Sequence, residues 1–375
     1  MLHAIVDFVQ TLGATSIEVY EWSEADVRRK RLPNSPQFAD FAQKRPSLSF
    51  NGWKLAHAVM KADYLDKRNL AMPGIGFLLQ AGNILDFGAS SIALQKDASK
   101  ALNDFSLTSL SGRVGQGLAI LYGHSLGLRF AAHLRSHVAA LPAGADHMKD
   151  AMADFLFAND HTSALIESKG SFTLQGNDPT SIKSVLKGAL EKQIDPWMKI
   201  LTPVPGNGFV IYSCLREGAW APSAIFVVDP PGSEGDDREL PLTPDQVRRE
   251  NYGGWLRAMG LNDAARRLVG PREARGGASQ EHFVIWEIGG RTFAYRDLHY
   301  STLGYRFWPA TMVGIDFQVL MAISKDLQSA DANRSDLKVV LPELPIEIQG
   351  MSIFPDGTAI GYSHFKPVQR KLVTL

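Results

Sequence analysis

One stretch of the sequence, residues 153–199, constrains the fold more than any other. Two short apolar runs, at residues 155–158 and 164–166, flank the polar cluster at residues 159–163. A polar cluster between two short apolar runs is typical of a β-hairpin. The sequence therefore predicts two adjacent antiparallel strands here.

Three charged side chains lie at the open end of this predicted hairpin. Asp154 begins the first strand, and Glu167 and Lys169 end the second. Because alternate residues of a strand share one face, Glu167 and Lys169 point the same way. The hairpin brings the start of one strand beside the end of the other. We therefore expect two carboxylates and one ammonium group at a single place.

Metal-assisted phosphoryl chemistry uses this set of groups. Mg²⁺ takes oxygen ligands and is commonly held by one or two carboxylates together with substrate phosphates. A bound ion polarises a phosphoryl oxygen and lowers the pKa of a water, and a nearby lysine orients that water or neutralises charge. The structural alternative is a solvated cross-strand salt bridge between Glu167 and Lys169.

The pattern Asp154-x12-Glu167-Ser168-Lys169 resembles the PD-(D/E)XK, or restriction-endonuclease-like, nuclease superfamily. The resemblance implies Asp154 and Glu167 as ligands of Mg²⁺ or Mn²⁺ and Lys169 as a catalytic lysine. It also implies a Gln or Lys on the following helix, for which Gln193 and Lys187 are the candidates. The implied reaction is metal-dependent hydrolysis of phosphodiester bonds, with DNA favoured over RNA.

Two positions depart from the pattern of that superfamily. Many members carry a glutamate on the first helix, where the nearest equivalent here is Gln116. The proline that usually precedes the first aspartate is Ala153 in this chain. The implied metal site therefore has two acids rather than three.

The resemblance also implies a core that runs helix, three strands, helix and one or two further strands. The apolar spacing predicts a helix over residues 110–122 and a strand over 128–134. Asn177-Asp178-Pro179 is a helix-start signal, and the helical period continues to Gln193. Strands are expected over residues 209–215 and 224–228, with a turn at 218–222. The expected order is thus present between about residues 100 and 235.

We therefore expect an α+β or α/β protein with a restriction-endonuclease-like central mixed sheet flanked by helices. Residues 1–99 form an accessory or recognition region, with a helix over 2–12, a strand over 16–22, a helix over 51–64 and a glycine-rich link over 72–89. Residues 100–235 are the core. Residues 236–375 carry a helix from Thr243-Pro244-Asp245 and a β-rich part with hairpins over 282–296 and 346–362.

A competing motif is Gly123-His124-Ser125-Leu126-Gly127, which resembles the nucleophile elbow of lipases and other α/β-hydrolases. In that fold Ser125 is the nucleophile, Asp229 the acid, and His282 or His299 the base. Against it, the following apolar runs form a hairpin where a parallel sheet needs a crossover. A third alternative is a non-catalytic scaffold or interaction subunit with a degenerate nuclease fold.

Composition limits the possible partners. The chain has 39 basic and 39 acidic residues, so no overall field draws it to nucleic acid and a local patch is required. Two patches are candidates for phosphate contact, each with a solvated surface as the alternative. They are the basic run at residues 28–31 and a basic helical face made of Arg248, Arg249, Arg257, Arg266, Arg267, Arg272 and Arg275.

Targeting signals and cysteines complete the expectations. The first residues lack a basic region and reach Asp7 early, and no run of 18 apolar residues occurs, so we expect a soluble, cytoplasmic protein without membrane contact. The single Cys214, on a predicted strand, excludes an internal disulfide. Analogy with the superfamily points to other protein subunits as partners and to bacterial defence or mobile-element maintenance.

Overall fold

The computed structural model of this chain describes residues 13–65, 81–82, 84–86, 90–101, 104–172, 174–218, 221–230, 240–270, 277–296, 311–329, 336–341, 348, 350–362 and 369–375. In chain order the strands are β1 (Ala14–Trp22), β2 (Ala42–Asn51), β3 (Leu85–Asp86), β4 (Ala93–Leu94), β5 (Phe130–His133), β6 (Phe155–Ala158), β7 (Ser163–Ser171), β8 (Leu201–Thr202), β9 (Asn207–Cys214), β10 (Ala224–Val228), β11 (Leu240–Pro241), β12 (Gln280–Ile288), β13 (Arg291–Arg296), β14 (Thr311–Asp316), β15 (Met351–Ile353), β16 (Thr358–Tyr362) and β17 (Gln369–Thr374). The helices are α1 (Glu24–Arg28), α2 (Gly52–Leu65), α3 (Ala98–Ala101), α4 (Asp104–Ser125), α5 (Leu134–Ala139), α6 (Pro179–Ala189), α7 (Asp195–Ile200), α8 (Pro244–Ala258), α9 (Asn262–Val269) and α10 (Phe317–Gln328).

Within the described residues, seven strands form a central mixed sheet in the order β2-β1-β10-β9-β7-β6-β5. The β6 strand is antiparallel to both β5 and β7, β7 is parallel to β9, and β10 is antiparallel to β9. Every residue of β6 and β10 is buried. Both faces of the middle of the sheet are therefore covered, which explains why these strands are continuous apolar runs.

The predicted order of elements in the core is confirmed. The expected first helix lies within α4, β5 follows it, and the expected hairpin is β6–β7, with β7 running to Ser171. The first strand is shorter than expected because the chain turns into the α5 helix at Leu134. The α6 helix begins as expected, since Asp178 accepts from the amide of Ser181 and Pro179 is the first helical residue.

The N-terminal strands are part of this central sheet. The β1 strand, which was expected over residues 16–22, pairs in parallel with β10, and β2 covers it on the outside. The helix that was expected over residues 51–64 is α2. The expected helix over residues 2–12 lies outside the described residues, as do most of the glycine-rich link at 72–89 and part of the turn at 218–222.

A second sheet, described as six antiparallel strands, has the order β15-β16-β14-β13-β12-β17. Its first hairpin turns at Gly289 and Gly290, whose φ angles of 57° and 76° are those that this tight turn requires. Both hairpins that the sequence predicted in this half are present, as β12–β13 and β15–β16. His299 and the aromatic residues 300–308 lie outside the described residues.

The α8 helix lies between the two sheets. It begins where expected, with the Thr243 hydroxyl accepting from the amide of Gln246 at 3.2 Å. It packs on β5 and β6, and the indole of Trp255 donates to the carbonyl of Gly314 on β14 at 2.7 Å. Almost all of its residues are buried.

This position overturns the expected basic face of α8 and α9. Arg248, Arg249 and Arg267 are buried rather than solvated. Arg249 bridges Asp245 and Asp326, and Arg248 binds the carbonyl of Leu337. Their guanidinium groups donate hydrogen bonds to carbonyl and carboxylate oxygens inside the protein, because the helix is covered on both sides. Of the seven arginines, Arg272 and Arg275 lie outside the described residues, and Arg266, which pairs with Asp263, is exposed.

A buried polar network joins α2, α8 and the β15–β16 hairpin. Lys61 Nζ lies 2.5 Å from Asp356 Oδ2, and both side chains are inaccessible to solvent. Asn251 donates to Asp356 Oδ2 at 2.8 Å, and the Thr358 hydroxyl donates to Asp356 Oδ1 at 2.7 Å. The ring of His57 is hydrogen-bonded to the same hydroxyl. Burial opposes the charge, but Lys61 keeps the pKa of Asp356 below its usual value. The network ties the C-terminal sheet to the core.

The α4 helix approaches β7 very closely at two glycines. A Cβ added to Gly115 would lie 3.0 Å from Gly170 Cα, and one added to Gly170 would overlap the carbonyl oxygen of Ser111. Gly170 directly follows Lys169. The lack of side chains therefore fixes the depth at which α4 packs beside the predicted site. None of the helices in the described ranges has the length and apolar character that crossing a membrane requires.

The contact at Gly170 can be tested by substitution. We expect Gly170→Ala to lower the free energy of unfolding by about 1–3 kcal/mol, because α4 must move away from β7. Gly112→Ala on α4, where an added Cβ meets nothing within 4 Å, should raise it by up to about 1 kcal/mol through helix propensity. Urea unfolding of both variants measures the difference, and equal stabilities would rule out the close contact.

The buried ion pair gives a second prediction. Lys61→Met leaves the Asp356 carboxylate buried without its cation, so we expect a loss of about 3–5 kcal/mol in the free energy of unfolding. Lys100→Met, which removes an exposed lysine paired with Asp97, should leave the urea midpoint unchanged. A Lys61→Met variant as stable as the wild type would show that Asp356 does not carry a charge.

Candidate active site

The β6–β7 hairpin sets the geometry of the site. Its turn is closed by Asn159, whose side-chain oxygen accepts from the amides of His161 and Thr162 at 2.8 Å. In this register Phe155 pairs with Ile166, so Asp154 lies opposite Glu167. The amide of Asp154 donates to Glu167 Oε2 at 3.1 Å. The convergence expected from the sequence is therefore present.

Asp154 is held by Ser168. The amide and the hydroxyl of Ser168 both donate to Asp154 Oδ2, at 3.0 and 2.5 Å. These two bonds fix the carboxylate and leave Oδ1 as the oxygen available to a ligand. Sequence reasoning missed Ser168, because strand alternation places its side chain on the face opposite to Glu167 and Lys169. The sequence signal that could have pointed to Ser168 is a hydroxyl residue between the glutamate and the lysine of the motif.

Glu167 is buried beside an exposed lysine. Its side chain is 1% exposed, and its Oε1 lies 2.5 Å from Lys169 Nζ, whose side chain is 38% exposed. Burial first, and then the charge of Asp154, raise the pKa of Glu167 to about 8, against the opposing effect of Lys169 and Gln193. A solvated salt bridge has both partners in water. Glu167 is instead a buried carboxyl group whose ionisation a further positive charge would favour.

Gln193 reaches the site through a π turn, Leu190–Ile194, that follows α6. Its Nε2 donates to the carbonyl of Met152 at 3.0 Å, and its side chain lies near enough to Glu167 to lower the pKa of that carboxyl group. The wider turn changes the direction in which the side chains leave the helix, and such turns are frequent at functional sites. Trp197 supports the same segment by donating to the carbonyl of Ala151 at 2.8 Å.

The other candidate on this helix, Lys187, lies elsewhere. Its Nζ is 3.6 Å from Glu191 and 3.5 Å from the carbonyl of Arg28. The geometry therefore places Gln193, and not Lys187, beside Glu167. Gln116, at the position where the superfamily often has an acid, is half-buried on α4 and is not among the described hydrogen-bond partners of Asp154 or Glu167.

These residues fit a hard divalent cation with two protein ligands. Across the described ranges, no group of three or more His, Cys, Asp or Glu side chains is arranged to hold a metal ion. Mg²⁺, however, commonly uses one or two carboxylates and completes its coordination with water and phosphate oxygens. In such a site Asp154 Oδ1 and Glu167 would supply the two carboxylate ligands.

The residues of the competing esterase motif do not form a nucleophile elbow. Ser125 is the last residue of α4, and its hydroxyl donates to the carbonyl of Tyr122 at 2.7 Å. Gly127 has a φ of 81°, and the amide of Leu128 donates to the carbonyl of Gly123, which is a helix C-cap. An elbow needs the serine between a strand and a helix. Asp229 is bound to Asn207, and His282 lies exposed on β12.

The raised pKa of Glu167 predicts how stability depends on pH. Its pKa is about 8 in the folded chain, against 4.5 for an ordinary glutamate, so the folded state binds this proton more tightly. In the absence of metal, its contribution to the free energy of unfolding therefore falls as pH rises from about 4.5 to about 8. Glu167→Gln stays neutral, so we expect it to be more stable than wild type above about pH 8, by on the order of a few kcal/mol, and similar near pH 5. Urea unfolding in EDTA at both pH values measures this, and parallel pH profiles would show that Glu167 is not desolvated.

Asp154, Glu167, Lys169 and Gln193 thus form one cluster at the open end of the hairpin. No family model, curated protein or solved structure matches this chain.

Proposed function

We propose that this chain is a metal-dependent nuclease with a restriction-endonuclease-like core that hydrolyses phosphodiester bonds, with DNA as the substrate favoured over RNA. One observation carries the proposal. At the open end of the β6–β7 hairpin the backbone amide of Asp154 donates to Glu167 Oε2 at 3.1 Å, and the charge of Asp154 is near enough to raise the pKa of Glu167. Lys169 Nζ lies 2.5 Å from Glu167, and Gln193 lies beside it. A purely structural salt bridge does not require the second acid or the burial of Glu167.

The order of elements supports the same proposal. The α4 helix, the strands β5, β6 and β7, the α6 helix and the strands β9 and β10 follow the order expected of that superfamily. Asp154 directly precedes the second of these strands, and Glu167 and Lys169 lie on the third, as the motif requires. A fold by itself does not determine function, so the residues at the site remain the main support.

In this proposal Asp154 and Glu167 hold Mg²⁺ or Mn²⁺, which when bound polarises a phosphoryl oxygen and acidifies a water. Ser168 keeps Asp154 in place by its two hydrogen bonds. A bound cation would favour the ionised form of the buried Glu167, because positive charge would offset the desolvation that raises its pKa.

Lys169 and Gln193 act on the nucleophile and the phosphate. The ammonium of Lys169, 38% exposed, orients the attacking water and neutralises charge that develops on the phosphate. Gln193 is held by the carbonyl of Met152 and directs its amide group towards the same place. Lys169 thus reaches solvent from its ion pair with Glu167, whereas Gln193 is bound to the backbone.

The test is cleavage of supercoiled and linear DNA, and of RNA, with MgCl₂ or MnCl₂. We expect the wild type to cleave and EDTA to abolish cleavage. Glu167→Gln and Lys169→Met should each lower the cleavage rate by about 10²–10⁴, the range typical of acid–base groups. Ser125→Ala, which changes a helix C-terminus outside the site, serves as the matched control and should keep the wild-type rate.

Metal binding provides a second readout that does not depend on cleavage. MgCl₂ should raise the melting temperature of the wild type above about pH 8, where Glu167 ionises, and should not raise that of Glu167→Gln. A metal-independent activity that disappears in Ser125→Ala would overturn the proposal in favour of an esterase. Absence of both metal binding and cleavage would leave a non-catalytic scaffold.

A further inference from the structure

A cluster of positive charge lies beside the candidate active site, on two elements that are distant in the sequence. Residues 29–31 follow α1 and are exposed, and Lys183 and Lys187 lie one turn apart on α6. The α1 helix packs against α6, and Lys187 Nζ is 3.5 Å from the carbonyl of Arg28. We call residues 29–31, Lys183 and Lys187 the basic seam.

The seam is anchored next to Gln193. Arg28 binds Asp195 through two hydrogen bonds of 2.8 and 2.9 Å, and Asp195 follows Gln193 by two residues. On the other side, Lys187 precedes Gln193 by six residues, a rise of about 9 Å along a helix axis. Arg28 therefore ties the loop of the seam to the segment that carries Gln193, and the side chain of Gln193 in turn binds the carbonyl of Met152, two residues before Asp154.

The positive charge of the seam is only partly neutralised. Arg29 pairs with Asp26 at 3.3 Å and Lys187 with Glu191 at 3.6 Å. Among the described residues, Lys30, Arg31 and Lys183 have no carboxylate within ion-pair distance. Burial, then Lys187, and also Arg29 lower the pKa of Lys183, although Glu191 opposes them. Like charges are thus held together, and an anion would relieve their repulsion.

The other basic patch that the sequence predicted, on α8 and α9, does not form a comparable surface in the described residues. The net charge is zero, and the arginines of α8 that the sequence favoured for nucleic-acid contact are bound internally. Lys183 and Lys187 are about 6 Å apart along the helix axis. Because α1 packs against α6 and Lys187 Nζ reaches the carbonyl of Arg28, the loop after α1 and α6 meet, so one nucleic-acid backbone can contact both elements of the seam.

We propose that the basic seam binds the phosphodiester backbone of a nucleic acid and directs it to the candidate active site. This inference rests on the proposed function, since it concerns the substrate of the same site. Lys30, Arg31 and Lys187 contact phosphates, and the largely covered Lys183 adds to the local positive potential.

The experiment measures binding separately from cleavage. Fluorescence anisotropy with duplexes of about 30 base pairs, one DNA and one RNA, is recorded in EDTA from about 50 to 300 mM NaCl. Two variants each remove two charges: Lys30→Gln/Arg31→Gln in the loop and Lys183→Gln/Lys187→Gln on α6. The charge-matched control is Lys44→Gln/Lys325→Gln, on β2 and α10. Melting temperatures establish that all three variants fold.

We expect each seam variant to reduce the slope of log K against log salt by about 1–2 and to weaken binding about tenfold or more at the lowest salt. The control should keep the wild-type slope. The tighter of the two duplexes identifies the nucleic acid. The inference is wrong if the seam variants match the control, if neither duplex binds, or if polyglutamate competes as well as the duplex does.

Cleavage then separates the two proposals. If binding depends on the seam but no metal-dependent cleavage occurs, the proposed nuclease function is wrong and the seam remains a nucleic-acid-binding surface. If both seam variants cleave with the kcat/KM of the wild type, the proposed nuclease function stands and the proposed role of the seam is wrong.

Discussion

The pairing of β6 with β7 is the interaction on which the rest of the structure depends. It places Asp154 opposite Glu167 and takes the Glu167 carboxyl group out of water, where the neighbouring carboxylate raises its pKa further. Two buried or half-buried acids side by side are unfavourable unless a positive charge lies near them. Lys169 supplies part of that charge in this structure, and a cation together with a phosphate would complete it.

Other elements keep this hairpin in place. Gly115 and Gly170 let α4 pack directly on β7, one residue after Lys169. The π turn after α6 and the indole of Trp197 hold the segment that enters β6. On the far side, the buried Lys61–Asp356 pair joins α2 to the β15–β16 hairpin, with Asn251 of α8 bound to the same carboxylate. The C-terminal sheet is thus connected to the core through hydrogen bonds that water cannot reach.

Charge is distributed unevenly over a chain with no net charge. Most arginines of α8 and α9 in the described ranges serve as internal ties, whereas the loop after α1 and one side of α6 keep a surplus of positive charge. The regions before and after the core are therefore packed into the central structure. β1 and β2 widen the central sheet and carry the seam's loop beside the site, and α8 fills the space between the sheets.

Much of the core could be predicted from local sequence, because its signals are local. Alternation, the Asn159 turn, the Asp178-Pro179 cap and the Gly289-Gly290 turn each act over a few residues, and the Asp154, Glu167 and Lys169 cluster follows from one hairpin register. Gln193 was one of two candidates until the π turn placed it beside Glu167.

What depends on distant parts of the chain was decided by the tertiary structure. The same arginines of α8 that look solvated in sequence are buried, because the chain folds a second sheet over them. The esterase motif becomes a helix C-cap because its serine continues α4. Strand pairing of β1 with β10, the Gly115–Gly170 contact and the meeting of α1 with α6 join residues far apart in sequence. Local periodicity carries no information about such contacts, since it reports which face of an element is apolar and not which element will cover it.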